Sequence, residues 1–285
     1  MGDSVSKSDI EENGATISSP IPEKVAEMYN APGGQGGHLI FDGQFHWGYW
    51  DEKNPDASLA EAADRLTQIM IDKSEISQGE RFCDLGCGVG VPAMRIAKAK
   101  ECFVDAITIS KYQYDKAKQL AEEAGISDRV RFIQGNALEM PCEDATYDGG
   151  WFFETIFHMG HREALQEAYR ILKPGATLLI ADLPTRSNIT EEFKTFAKEK
   201  IHSVFIPKED YPGLLDEAGF DLIEIDDVTE FVIPPLVPKV KVAFKQYETE
   251  ILQYVESQAI GRWVGMFEDM CENLGYMLVK AKRRA

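Results

Sequence analysis

Between residues 81 and 183 the sequence changes its hydrophobic period repeatedly. RFCDLG, CFVDAITI, VRFIQG, YDGGWFF and ATLLIADL read as strands, whereas VPAMRIAKAK, QYDKAKQLAEEAG and REALQEAYRIL read as helices. Strands alternating with helices at this spacing specify right-handed crossovers and a mainly parallel sheet with helices on both faces. The expected fold class is therefore α/β, a doubly wound sheet, in a chain of 285 residues that is long enough for one generous core plus an elaboration.

The flanking segments break that rhythm. Residues 1–20 are polar, Ser-rich and aperiodic, and are expected to form a disordered tail. Residues 21–57 hold a short helix from Pro22 to Asn30, a mobile glycine-rich loop (APGGQGG) and an aromatic cluster, FHWGYW. A core is expected over 58–185, opening with a helix that places Leu59, Ala62, Ala63, Leu66, Ile69 and Met70 at helical spacing behind a Ser58 N-cap. Residues 186–273 read as a helical, substrate-binding elaboration with a sheet strand near 221–226. Here PPLVP (234–238) is expected to be a rigid extended hinge, and residues 274–285 supply a closing strand.

The most informative stretch is Asp84-Leu85-Gly86-Cys87-Gly88-Val89-Gly90, a GxGxG turn between a strand and a helix. Glycines there let the backbone turn sharply and approach a ligand closely. Ile107-Thr108-Ile109-Ser110 ends the second strand, where doubly wound folds present a group to a ribose. Gly135-Asn136-Ala137 follows the third, where an Asn side chain and neighbouring amides can read an adenine edge. A dinucleotide cofactor is disfavoured, because the acidic ribose partner expected about 20 residues past the glycines is absent.

On these residues the chain resembles class I methyltransferases that use S-adenosyl-L-methionine, especially the small-molecule branch acting on sterols, tocopherols, macrolides and other natural products. The likeness extends over roughly residues 22–185 and implies a Rossmann-like core with a helical lid. It also implies that Asp84, Gly86 and Gly88 wrap the methionine and ribose, that Thr108, Ile109 and Gln113 contact ribose and adenine, and that Asn136 and Ala137 hold the adenine. Thr108 departs from the acidic ribose clamp of many members. The family's aromatic cofactor cap is matched by Tyr29 and by residues 45–50, from which Tyr29, His46 or Tyr49 would touch the cofactor, a sulfonium being attracted to an aromatic face. The alternative for this cluster is packing at the sheet edge.

Transfer of a methyl group from a sulfonium requires alignment and exclusion of water, with a base only where the acceptor loses a proton. His158 is the first candidate base, with Glu154 and His46 next; the other reading of His158 is a structural histidine at a helix start. For methylation at carbon, Trp151, Phe157 and Tyr49 would stabilise a cation. The elaboration is rich in Phe, Tyr, Ile, Val and Met, which favours a small hydrophobic acceptor methylated at carbon or oxygen. A second reading is a methyltransferase-like cyclase or pericyclase that retains S-adenosyl-L-methionine as a structural ligand.

A charge of −18, from 30 Lys and Arg against 48 Asp and Glu, argues against a nucleic-acid partner. The five cysteines form no CxxC pair or Cys/His cluster, so neither a metal site nor a disulfide framework is expected. Cys83 and Cys87 read as small buried thiols. With no long apolar run and no secretory leader, the protein is expected to be cytoplasmic and not inserted in membranes; a homo-oligomer is compatible with the sequence.

Overall fold

A computed structural model describes residues 9–12 and 15–285. The chain opens with β1 (Asp9–Glu12) and β2 (Ala15–Ser18), paired antiparallel with Ile10 opposite Ile17. This part of the expected tail is therefore a local hairpin, in which backbone groups satisfy one another across a short connection. The rest of that expectation, residues 1–8 and 13–14, lies outside the described residues.

Helices α1 (Pro22–Asn30) and α2 (Pro32–Gly37) follow, then a 3-10 turn over His38–Phe41. The glycine-rich segment is thus a helical turn rather than a mobile loop. Its glycines serve close packing: a Cβ on Gly34 would stand 2.5 Å from the Met28 carbonyl oxygen and 2.8 Å from Tyr29 Cα. Helix α3 (Leu59–Lys73) starts with a reciprocal cap, Glu61 N–H donating to Ser58 Oγ and Ser58 N–H to the Glu61 carboxylate.

The core elements are β3 (Arg81–Leu85), α4 (Val91–Lys100), β4 (Phe103–Thr108), α5 (Lys111–Glu123), β5 (Val130–Gln134), β6 (Tyr147–Phe153), α6 (His161–Ile171) and β7 (Leu172–Asp182). The elaboration adds α7 (Glu191–Lys200), α8 (Tyr211–Ala218), β8 (Phe220–Asp227), α9 (Thr229–Gln246), α10 (Glu248–Ile251) and α11 (Ser257–Asn273), and β9 (Met277–Arg283) closes the chain. Seven strands form one sheet in the order β5-β4-β3-β6-β7-β9-β8, parallel except where β9 runs antiparallel between β7 and β8. Apolar clusters pack on both of its faces.

PPLVP is not an extended hinge: Pro234, Pro235 and Pro238 lie inside α9. An interior proline costs roughly 3 kcal/mol of helix propensity. Burial of Val232, Ile233, Leu236, Val240 and Phe244 along the same helix outweighs that cost. Among the described residues, no helix is long and apolar enough to cross a membrane.

The strand order reverses at β3: the chain runs outward through β4 and β5, then returns to lay β6 on the other side of β3. Beyond the carboxyl ends of such strands lies the crevice in which open α/β sheets bind ligands.

Candidate active site

That crevice is a pocket lined by Asp84, Gly86, Gly88, Thr108, Ile109, Gln113, Asn136, Ala137, Tyr29 and His46, among others. These residues come from the ends of β3, β4 and β5, from the first turn of α5 and from the segment before α3. Gly86 has φ 104°, and a Cβ there would meet the Thr155 side chain at 2.7 Å, so only glycine fits the turn.

Asp84 is buried, and neither carboxylate oxygen has a hydrogen-bond partner among the described residues. Burial pushes its pKa up to about 7; the nearby Trp151 indole opposes the shift but lies outside hydrogen-bonding geometry. A buried acceptor without a donor on the wall of a cleft is suited to a ligand's hydroxyl or ammonium group. Thr108 Oγ1 donates to Gln113 Oε1 at 2.7 Å, leaving the Gln113 amide nitrogen without a partner among the described residues. Asn136 Oδ1 accepts from Leu138 N–H at 3.1 Å, which likewise leaves its amide nitrogen to donate.

Asn30, at the end of α1, accepts through Oδ1 from Ser110 Oγ at 2.8 Å and from Tyr112 N–H at 3.1 Å. This ties α1 to the start of α5 and holds the neighbouring Tyr29 over the pocket. Tyr29 hydroxyl lies 2.9 Å from His158 Nε2, while His158 Nδ1 lies 3.0 Å from the His202 carbonyl oxygen. A carbonyl can only accept, so Nδ1 carries the proton and Nε2 accepts from Tyr29. Burial lowers the His158 pKa to about 4, so the ring is neutral near pH 7, its residual accessibility being that of a group lining two cavities. Burial also raises the Tyr29 pKa, with the Glu154 carboxyl adding to the shift.

A second, larger cavity of about 490 Å³ adjoins the first. Tyr29, Phe45, Glu154 and His158 line both. The rest of its wall is mostly apolar, with Phe41, Trp47, Phe157, Phe205, Phe244 and Trp263. Glu154 Oε1 accepts from Tyr276 hydroxyl at 2.5 Å and from Trp47 N–H at 2.8 Å, and burial pushes its pKa up to about 8.

Several sequence-predicted residues sit elsewhere or do other work. Tyr49 lines neither cavity: its N–H donates to the Ala62 carbonyl, and its ring stacks on Phe231 at 5.1 Å. Close contact of Gly48 with Ala62 docks the segment on α3 and turns Tyr49 away. Trp151 is fully buried edge-on against Phe82 and Phe153, out of reach of either cavity. His46 lines the first pocket, but Nδ1 is bonded to the Trp47 carbonyl and Nε2 to Thr67 Oγ1, and burial lowers its pKa to about 3. Those two bonds leave its ring no free nitrogen for a substrate proton.

Cys83 and Cys87 are buried thiols with pKa values pushed well up, as inert structural cysteines are. Phe45, inside the aromatic cap expected at residues 45–50, lines both cavities, whereas sequence reasoning missed Ser203 and the His202 carbonyl, which position His158. No sequence signal marked them, because their role follows from contacts between distant segments.

The fold, the glycine turn and the orphaned acceptor together fit a nucleoside ligand at the switch point of a doubly wound sheet, and the chain belongs to the class I S-adenosyl-L-methionine-dependent methyltransferases. Residues 82–175 match the family model described as a methyltransferase domain. The chain is 32% identical to (+)-O-methylkolavelool synthase of Herpetosiphon aurantiacus over 93% of its length and 95% of that protein's. It is 30% identical to 27-O-demethylrifamycin SV methyltransferase of Amycolatopsis mediterranei, covering 94% and 99% of the two chains. Among solved structures, the cyclase SpnF superposes with a TM-score of 0.80 at 27% identity, over 94% of this chain and 97% of that one. The enzyme is thus a methyltransferase with S-adenosyl-L-methionine as its cofactor, and its relatives include natural-product methyltransferases.

Proposed function

We propose that this enzyme methylates a small hydrophobic natural-product acceptor, at carbon or oxygen, held in the larger cavity. The observation that carries the reading is the wall formed by Tyr29, Phe45, Glu154 and His158, which faces both the cofactor pocket and the apolar cavity. S-adenosyl-L-methionine, when bound, supplies an electrophilic methyl group on a sulfonium.

Around it, Asp84 offers an acceptor to a donor group, Gln113 and Asn136 offer amide donors to ribose and adenine, and Gly86, Gly88, Thr108, Ile109 and Ala137 complete the cleft. Tyr29 and Phe45 place aromatic rings on the wall shared by the two cavities, and aromatic surface there favours a cationic centre. For a hydroxyl acceptor, the acceptor proton moves to the Tyr29 oxygen as the Tyr29 proton moves to His158 Nε2. Glu154, protonated near neutrality, keeps negative charge out of the apolar cavity and holds Trp47 and Tyr276 in position.

The test uses methyl-labelled S-adenosyl-L-methionine with a panel of terpenoid alcohols, hydroxylated polyketides and indoles, read by mass spectrometry. Label is expected in one product class. His158→Asn is expected to lower kcat on a hydroxyl acceptor by about 100-fold while leaving cofactor affinity unchanged. Wild-type turnover in that variant would remove His158 from the chemistry. The likeness to the cyclase SpnF supports a second reading, in which the cofactor is a structural ligand; substrate consumption without label in any product would favour it.

A further inference from the structure

Arg262, on α11, is the one arginine among the described residues whose side chain has no hydrogen bond, ion pair or aromatic-face contact. The side chain of Lys200, the last residue of α7, also has no partner among the described residues. This occurs in a chain with 48 acidic residues against 30 basic ones, where a cation readily finds a carboxylate. Both side chains line the 490 Å³ cavity, whose remaining wall is largely aromatic and aliphatic. Both residues are also largely exposed, which puts their charges at the cavity's mouth.

The cavity contains one carboxyl group, Glu154, and that group is already bonded to Tyr276 and Trp47 and stays protonated near neutrality. Nothing on the wall neutralises the two cations. Low-dielectric walls focus such a field into the opening. A guanidinium presents a planar fork of donors matched to carboxylate or phosphate oxygens, and an ammonium adds a point charge.

We propose that Arg262 and Lys200 form an anion subsite at the mouth of the acceptor cavity, so that the acceptor is an apolar skeleton carrying a carboxylate or phosphate group apart from the position methylated. The proposal rests on the reading of this cavity as the acceptor site. The anionic group anchors one end of the molecule at the mouth, and the apolar body lies along the aromatic wall toward Tyr29 and His158.

Decanol, decanoate and decyl phosphate share one chain and differ in head group. Their affinities are measured in the presence of S-adenosylhomocysteine from the fluorescence of Trp47 and Trp263, which line the cavity. One or both anions are expected to bind about tenfold more tightly than decanol, the scale of one charge-assisted hydrogen bond. The tighter of the two identifies the head group. The advantage is expected to vanish in the double variant R262Q/K200Q and to persist in K98Q/K100Q, which removes the same two positive charges from lysines outside the cavity. Equal affinities of the three probes for the wild type, or an undiminished anion advantage in R262Q/K200Q, would overturn the subsite. Absence of binding by all three probes to the wild type loaded with S-adenosylhomocysteine would instead overturn the reading of this cavity as the acceptor site, so the two failures are distinguishable.

Discussion

Glu154 has φ 52°, a left-handed backbone conformation uncommon outside glycine, immediately after β6. That turn drives a carboxyl into the wall between two cavities, where burial favours the neutral acid. Its folded pKa, about 8, exceeds the ordinary carboxylate value, so the folded state holds a proton that the unfolded chain releases. Stability from this group is full below the unfolded value and is lost as pH rises through about 8. Asp84 acts in the same direction but completes its loss near pH 7, and the depressed His158 acts oppositely, adding stability as pH rises from about 4 toward its ordinary value. The interval from about pH 7 to 8.5 therefore belongs mainly to Glu154, with a slope of at most about 1 kcal/mol per pH unit. Thermal melts of the ligand-free protein are expected to show a falling Tm across that interval, and Glu154→Gln is expected to flatten it. An unchanged slope in the variant would show that Glu154 is ionised in the folded state. The candidates at the strand ends and the glycine turn were legible in consecutive residues, whereas Tyr29 and the aromatic cap were candidates only through the resemblance. The pairings were not legible: Tyr29 and His158 are 129 positions apart, and nothing local in either segment announces the other.

At the scale of elements, the reading succeeded where local chemistry and tertiary demand agree. Helix α3 begins at its Ser58 cap, with Leu59, Ala62, Ala63, Leu66 and Met70 buried behind it as their spacing predicts. It failed where packing overrides propensity. Gly-rich α2 looks flexible in isolation, yet it lies against α1 so closely that Gly34 has no room for a methyl group. Gly34→Ala is expected to cost about 1–3 kcal/mol, the range for overpacking a filled contact. Because the obstructing atoms include Tyr29 Cα and carbonyl oxygen, the same substitution is expected to weaken cofactor binding, read by calorimetry. Full retention of both stability and affinity would mean that α2 shifts freely. The pairing of β1 with β2 follows from backbone hydrogen bonding between two short runs that have no helical or alternating period to announce them.

For the whole molecule, the net charge of −18 leaves a surface on which repulsion exceeds pairing. Exposed ion pairs such as Lys111–Asp115 and Lys241–Glu268 contribute up to about 1 kcal/mol each and are screened by salt, as is the repulsion. The excess of like charge is expected to dominate, so Tm should rise as NaCl increases to about 0.5 M, where the screening length is roughly 4 Å. A fall would show that the ion pairs outweigh the net charge. The sequence by itself determined the doubly wound sheet and the position of the glycine turn, because periodicity and turn chemistry are local and are written in consecutive residues; the class of cofactor followed from the resemblance those residues carry. Only the tertiary structure decided that Tyr29 meets His158, that Glu154 divides two cavities, that Tyr49 and Trp151 face away, and that Arg262 stands unpaired at an opening. Those features arise from segments brought together by packing, and the burial and charge around each group exist only once the chain has folded.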